Sequence, residues 1–262
     1  MIAASALESP LELVLGVLVG VVSGVLSGLF GVGGGIVMTP GLQVLVGAAP
    51  IVAIATPLPA ILPTALTGAV TYQRAGELDR RAAAWMIGPG VIASVFGALL
   101  TRVVDARVLL LITAVLLAQQ SVSILRGSGD RRGPAFVATP AMFIGIGLAA
   151  GFVSGLLGIG GGLIMVPMLA GWLAMPLKRA LGTSLITIAA LVVPGTITHA
   201  LLGHIDWTLF AIVTIGAVPG ARLGAHVALG TRERTLRIAV GAFLLVVAAA
   251  YGISQLVELL GR

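Results

Sequence analysis

Cysteine is absent from the 262-residue chain, and charged residues make up only 9% of it. Without cysteine there is no disulfide, no thiolate nucleophile and no thiolate metal site. A soluble domain carries about 25% charged residues, so this chain has too little polar surface to solvate a globule. Hydrophobic residues make up 58% of the chain, and the apolar runs reach the roughly 20 residues that cross a bilayer. These features predict a multi-pass membrane protein.

Other patterns are missing as well. The alternation of apolar and polar residues typical of membrane β-strands is absent, so we expect an all-α protein. No Lys or Arg precedes Arg74, so the first apolar run lacks the basic start of a signal peptide and is expected to stay in the protein. No Ser-His-Asp set, paired intramembrane carboxylates or metal-ligand spacing is found. We therefore expect no enzymatic activity, no cofactor and no metal.

The two halves of the chain align at a fixed offset of 127 residues. The stretch SGLFGVGGGIVMTP (27–40) returns as SGLLGIGGGLIMVP (154–167). Such matching predicts a duplicated unit, with repeats at 1–127 and 128–262 in one integrated membrane domain and the polar stretch 126–134 at their boundary. Further matched pairs are Thr56 with Thr183, Gly68 with Gly195, Gly76 with Gly203, Asp79 with Asp206, and Gly97 with Gly224.

Each half divides into five apolar elements, A to E. Element B has about 13 residues and is either a re-entrant half-helix or a tilted span. The fold is therefore expected to have about eight to ten transmembrane or re-entrant helices. The predicted elements are 11–30, 36–48, 50–73, 82–101 and 107–125 in the first half, and 135–157, 163–175, 179–202, 206–228 and 234–258 in the second.

The basic residues predict how the halves are oriented. Because five is an odd number of elements, the second half should be inverted relative to the first. With the first C–D loop in the cytoplasm, inversion puts 12 of the 15 Lys and Arg residues on the cytoplasmic side. The positive-inside rule favours this split, which accounts for the net charge of +6 without a nucleic-acid partner. We predict inverted repeats with both termini outside.

Two glycine patterns occur in the repeated stretch. Gly16, Gly20, Gly24 and Gly28 recur every four residues, which gives a helix one bare stripe for close packing. The adjacent glycines at 33–35, like their copies, weaken a helix by about 1 kcal/mol each and should break it between A and B. Neither run continues as a nucleotide-binding motif.

A helix that starts after such a break exposes amides and carries partial positive charge, which favours an anion. Inverted symmetry would bring two of these starts together near the membrane midplane. The two copies of the glycine stretch must then lie close to each other. The alternative is a tight hairpin turn that binds no ligand.

Hydroxyl side chains lie within the apolar runs. Thr56 and Thr183 match on element C, and Ser184 adds a hydroxyl in the second copy. These groups suit a substrate path, but hydrogen bonding to the preceding helical turn explains them equally well. Tyr72 and His199 also occupy equivalent positions, and an interface role suits His199 better than proton transfer.

Charged residues near the apolar runs have simple alternatives to a functional role. Asp79 and Asp206 each open element D, where capping of a helix N-terminus explains their match better than proton coupling. Arg222 is the one Arg inside an apolar run. It is either a partner for an anion or a side chain that extends to the membrane interface.

The duplicated glycine stretch, GTSL at 182–185 and GHIDW at 203–207 resemble the TauE/SafE family over nearly the whole chain. That resemblance implies a small membrane transporter of sulfur-containing anions such as sulfite or sulfonates, usually outward across the cytoplasmic membrane. The first half departs from the pattern with ATPL at 55–58 and GELDR at 76–80, so a site on element C can be asymmetric.

We therefore expect a secondary transporter in the inner membrane that moves a small anion by alternating access between inverted halves. Its expected partners are the lipid bilayer and the anion, with protons as a candidate coupling ion. A passive anion channel and a non-transporting subunit of a membrane complex are the alternatives. The expected substrate-binding residues are Ser27, Gly31, Gly33, Gly34, Gly35 and Thr56 in the first half, and Ser154, Gly158, Gly160, Gly161, Gly162, Thr183, Ser184 and Arg222 in the second.

Overall fold

A computed structural model describes residues 10–100, 122, 139–157 and 160–260 of the chain. The described residues form helices joined by short loops, with no strand among them. In the first half the helices are α1 (Pro10–Phe30), α2 (Gly35–Leu45), α3 (Pro50–Ala55), α4 (Pro57–Arg74) and α5 (Arg80–Leu100). In the second half they are α6 (Pro140–Leu157), α7 (Gly162–Pro167, continued by a π-helical turn at Met168–Trp172), α8 (Leu177–Leu201), α9 (Trp207–Gly230) and α10 (Glu233–Leu260).

The all-α prediction is confirmed, and the predicted elements match these helices closely. The first element E and the polar stretch 126–134 lie outside the described residues. Element C of the first half is divided into α3 and α4 at Thr56, because Pro57 has no N–H and fits the first position of a new helix. The equivalent of Pro57 in the second half is Ser184, and α8 continues through Ser184 without a break.

Within the described part of the chain, four helices are long and apolar enough to cross a membrane: Pro10–Phe30, Ile51–Arg74, Leu177–Leu201 and Trp207–Gly230. Their outer faces carry large apolar side chains, as with Val22 and Leu223, whose exposed fractions are 50% and 60%. Such faces suit contact with lipid tails rather than water. The chain is therefore a membrane protein.

Helix α2 is too short to cross the bilayer on its own, since 11 residues rise only about 16 Å. It turns back along α1: a Cβ atom added at Gly41 would lie 2.8 Å from Val19 Cγ1, and one at Gly34 would lie 3.5 Å from Ser27 Cβ. Element B of the first half is thus the short arm of a hairpin with α1.

The predicted glycine stripe packs α1 against α9. A Cβ atom at Gly24 would lie 2.8 Å from Ala217 Cα, and one at Gly20 would clash with the Val213 carbonyl oxygen. Because the residue numbers of the contacts rise together along both helices, α1 and α9 run parallel. Gly147 of α6 meets Met86 of α5. Gly147 is the equivalent of Gly20 and Met86 is the equivalent of Val213, so this contact is the copy of the Gly20–Val213 contact. The prediction of a packing stripe is confirmed.

Helices α4 and α8 pack against each other in an antiparallel arrangement. Gly68 of α4 contacts Leu185, and Gly195 of α8 contacts Leu58, so one residue number falls as the other rises. Each contact is the copy of the other at the offset of 127. The equivalent helices α4 and α8 are therefore antiparallel, and their contacts are reciprocal. The fully buried side chains of Ile61 and Ile188, also equivalent, lie near the middle of this pair.

Candidate functional site

Two glycine turns lie at equivalent places in the two halves. The first lies between α1 and α2, and the second directly precedes α7. Gly33 and Gly34 have φ values of 86° and 81°, and Gly160 and Gly161 have 83° and 73°. Only glycine adopts this left-handed region without a steric penalty. The predicted helix breaks are therefore confirmed, and each run contains consecutive residues whose backbone geometry requires glycine.

The helices that follow both turns start without a side-chain cap. Gly34 precedes α2 and Gly161 precedes α7, and glycine has no side chain to accept from the first amides. Among the described residues, no hydrogen bond is found for the N–H groups of Gly35 and Gly162. Helix starts carry partial positive charge, so each turn presents free donors and a favourable potential to a negatively charged group.

The two turns touch at the centre of the protein. A Cβ atom added at Gly162 would lie 2.7 Å from both the carbonyl oxygen of Gly31 and Cα of Val32. The turns also share a wall, since Ile188 Cγ2 would lie 3.0 Å from a Cβ at Gly33 and 2.9 Å from one at Gly160. An anion site shared by the two copies of the glycine stretch requires them to lie close together, and they do.

A serine of α1 lies beside the first turn. Ser27 is fully buried, and its Oγ has no hydrogen-bond partner. Ser23, one turn earlier, is also buried and unpartnered. In the second half, Cβ of the equivalent Ser154 lies 3.3 Å from a Cβ built at Gly161. A buried hydroxyl without a partner is uncommon, and here two of them line the helix that leads into the turn.

The predicted threonines bind the opposite half of the protein. The N–H of Asp79 donates to Thr183 Oγ1 at 2.9 Å, and the N–H of Asp206 donates to Thr56 Oγ1 at 3.2 Å. The two hydrogen bonds are copies of each other at the offset of 127. Both hydroxyls act as acceptors here, so each keeps its hydrogen for a second contact. Sequence reasoning matched these threonines and aspartates separately but did not connect them.

Both aspartates also cap the helix that follows them. Asp79 Oδ1 accepts from the N–H groups of Arg81 and Ala82, and Asp206 Oδ1 accepts from those of Thr208 and Leu209. The expectation of N-capping is confirmed. Each aspartate therefore fixes the start of a helix with its side chain and reaches the other half through its backbone.

Two further hydroxyls hold the first turn in place. Ser184 Oγ lies 2.8 Å from the carbonyl oxygen of Gly31 and 2.9 Å from that of Leu181, so its hydrogen is already engaged. Tyr72 donates to the carbonyl oxygen of Gly28 at 2.8 Å, which satisfies an acceptor left free where α1 ends. The sequence suggested Ser184 as a binding group, whereas its contacts orient the backbone.

The remaining residues singled out in the sequence are Arg222, Gly158 and His199. Arg222 is exposed on α9, so the structure does not bring it together with the buried hydroxyls. Gly158 lies outside the described residues. His199, the equivalent of Tyr72, has its Nδ1 atom 3.2 Å from Nδ1 of His204, which joins the end of α8 to the loop before α9.

Several known proteins similar to the chain carry the name of probable membrane transporter. The chain is 29% identical over 234 residues to the "Probable membrane transporter protein YunE" of Bacillus subtilis, covering 79% of this chain and 85% of that protein. It is 28% identical over 205 residues to a "Probable membrane transporter protein" of Xylella fastidiosa, with coverage of 76% and 78%. A similar protein of Methanocaldococcus jannaschii is 25% identical over 242 residues, with coverage of 82% and 86%.

These relatives define the class of protein, a membrane transporter for a small molecule rather than an enzyme. Residues 16–251 match the family described as sulfite exporter TauE/SafE, and the chain belongs to this family. No solved structure matches it significantly.

Proposed function

We propose that the protein is a secondary transporter that moves a small sulfur oxyanion or organosulfonate, such as sulfite, across the cell membrane. The observation that carries this proposal is the contact between the two glycine turns that precede uncapped helices, since Gly162, the first residue of α7, packs against Gly31 and Val32 of the first turn. Free amides and helix dipoles favour anions, and the family description names sulfite. A multi-pass protein of the inner membrane is the setting that this function requires.

The proposed anion cradle consists of the amides around the two glycine turns, with buried hydroxyls beside them. Ser27 contributes a free hydroxyl in the first half, and Ser154 occupies the equivalent place in the second. Thr56 and Thr183 each retain a hydroxyl hydrogen, and Ser184 fixes the first turn. The proposed residues are Ser27, Gly31, Gly33, Gly34, Gly35 and Thr56, with Ser154, Gly158, Gly160, Gly161, Gly162, Thr183 and Ser184; Arg222, at the surface, would act on the anion only from a distance.

The direction of the helices supports inverted repeats. The equivalent helices α4 and α8 run antiparallel, as the Gly68–Leu185 and Gly195–Leu58 contacts indicate. If both helices cross the membrane, one half is inverted relative to the other. The reciprocal contacts of α1 with α9 and of α6 with α5 agree with the same two-fold relation. Inverted halves give a central site two equivalent routes, one to each side of the membrane.

The two hydrogen bonds between threonine and aspartate supply a physical basis for alternating access. In an inverted arrangement, Thr183 with Asp79 would close the cytoplasmic side, and Thr56 with Asp206 would close the outer side. Both bonds are present, at 2.9 and 3.2 Å, which corresponds to a state closed at both ends. Each bond is worth about 1 kcal/mol net, so either one can open without disrupting the helices.

Transport assays in proteoliposomes test the function. Radiolabelled sulfite, sulfate and thiosulfate are offered to vesicles with and without a proton gradient, and with and without unlabelled anion inside. We expect sulfite uptake that internal anion stimulates, because a carrier exchanges its substrate. Uptake without any exchange stimulation would indicate a channel, and a dependence on the gradient would identify protons as the coupling ion. No uptake of the three anions would refute the sulfur-anion proposal.

A further inference from the structure

We infer that Ser23 is a further anion-binding residue and that the anion is bound asymmetrically, with its oxygen atoms held mainly at the first glycine turn. The inference rests on the proposed function, and Ser23 is absent from the set of residues predicted from the sequence. The ligand that fits is an oxyanion head group, such as sulfite or a sulfonate, which offers several acceptor oxygens to neighbouring hydroxyls.

The Ser23 hydroxyl is buried without a partner. Ser23 has an exposed fraction of 0%, and its Oγ atom makes no hydrogen bond within the described part of the chain. A hydroxyl in a helix can donate to a carbonyl of the preceding turn, as those of Thr64 and Thr187 do in this protein. An unsatisfied buried hydroxyl destabilises the folded state, so its retention is explained by a ligand that accepts its hydrogen.

Ser23 lies on the face of α1 that contacts the first glycine turn. A Cβ atom added at Gly34 would lie 3.2 Å from the Ser23 carbonyl oxygen and 3.5 Å from Ser27 Cβ. Residues four positions apart are neighbours on one helix face, so the two unpartnered serines lie side by side. Gly34 also precedes α2, an 11-residue helix whose start has no side-chain cap. Two hydroxyl donors and the positive end of a helix therefore lie together beside one turn.

The second glycine turn lacks this hydroxyl. A Cβ atom added at Gly161 would clash with the Ala150 carbonyl oxygen and would lie 3.3 Å from Ser154 Cβ, which is the same arrangement at the offset of 127. Ala150 is the equivalent of Ser23. The backbone geometry is therefore repeated while the hydroxyl is not, and the first turn alone gains a second donor.

The first turn is also fixed by contacts that its copy lacks. The carbonyl oxygens of this turn and of the end of α1 accept hydrogen bonds from Ser184 and Tyr72, both at 2.8 Å. The equivalents in the second half are Pro57, which has no hydroxyl, and His199, whose Nδ1 atom lies 3.2 Å from Nδ1 of His204. A site that is ordered before binding loses less entropy when its ligand arrives. This difference also favours the first turn as the place where the oxygens bind.

Transport kinetics and thermal unfolding together test the role of Ser23. In proteoliposomes, Ser23→Ala should raise the KM for radiolabelled sulfite about tenfold, because a hydrogen bond to a charged ligand is lost. In detergent without sulfite, the same variant should melt at a higher temperature than the unsubstituted protein, because an unsatisfied buried hydroxyl is removed. Added sulfite should raise its melting temperature less than that of the unsubstituted protein. A residue that only supported the fold would not combine weaker binding with higher stability.

The matched control is Ser94→Ala. Ser94 is also buried, but its hydroxyl donates to the carbonyl oxygen of Val91 in its own helix, so this variant should leave the KM unchanged. Asymmetric binding further predicts that Ser27→Ala raises the KM more than Ser154→Ala does. An unchanged KM or a lower melting temperature without sulfite in Ser23→Ala, or equal effects of the Ser27 and Ser154 variants, would overturn the inference while leaving sulfite transport intact. Absence of sulfite uptake by the unsubstituted protein would instead refute the proposed function.

Discussion

Removal of the Thr183 hydroxyl should open the protein on one side only. In Thr183→Val the N–H of Asp79 loses the acceptor that it reaches at 2.9 Å. Loss of one such bond costs about 1 kcal/mol, which changes an equilibrium constant roughly fivefold. Thr56→Val should have the same effect at the opposite side, where the equivalent bond to Asp206 measures 3.2 Å.

The chain contains no cysteine, so a single Ile61→Cys substitution makes a clean reporter at the buried centre. Its labelling by a membrane-impermeant maleimide is measured from each side in oriented vesicles. We expect about fivefold faster labelling from the cytoplasmic side with Thr183→Val, and from the outer side with Thr56→Val.

The matched control is Thr64→Val. Thr64 is fully buried like Thr183, but its hydroxyl donates to the carbonyl oxygen of Ala60 in its own helix. This variant should leave labelling unchanged from both sides. If Thr56→Val and Thr183→Val increase labelling from the same side, or if Thr64→Val matches them, the two hydrogen bonds are not opposing gates.

Three further predictions concern stability and the turns. Gly24→Val forces a side chain against the backbone of α9 and should destabilise the protein by about 1–3 kcal/mol in thermal unfolding. Gly88→Ala, where an added Cβ atom would meet open space, should leave the melting temperature unchanged. Equal melting temperatures of the two variants would refute the packing stripe. Gly33→Ala and Gly47→Ala each place a side chain on a left-handed residue, with φ values of 86° and 73°, and each should cost about 1–2 kcal/mol. Only Gly33→Ala should reduce sulfite uptake. Equal uptake by the two variants would contradict a role for the turn. Asp206→Ala removes a helix cap and should cost about 1 kcal/mol in detergent unfolding; an unchanged midpoint would show that the cap contributes nothing.

The fold could be predicted from the sequence because its main signals are local or repeated. The glycine run at 31–35 breaks a helix whatever surrounds it, and its copy shows that the break recurs. The four-residue spacing of Gly16 to Gly28 predicts a bare stripe without knowledge of the partner helix. Apolar length gives the helices directly, and Asp79 and Asp206 cap the helices that they precede, as their position suggests.

The pairing within the site could not be predicted, because it depends on which helices meet. The contact of Thr183 with Asp79 joins residues 104 positions apart, and a single sequence does not reveal that a helix of one half lies against a loop of the other. Arg222 stood out as the only Arg in an apolar run, yet whether a residue faces the centre or the surface depends on the rotation of its helix. The isolation of the Ser27 hydroxyl likewise depends on its neighbours in space.

The central claim is that two helix starts, one from each half, form a single anion site. Calorimetric titration of the detergent-solubilised protein with sulfite tests this claim most directly, since it gives the number of sites as well as the affinity. We predict one anion per chain, with Ser27→Ala and Ser154→Ala each weakening that same site. A stoichiometry of two anions per chain, with each variant affecting only one of them, would contradict the account.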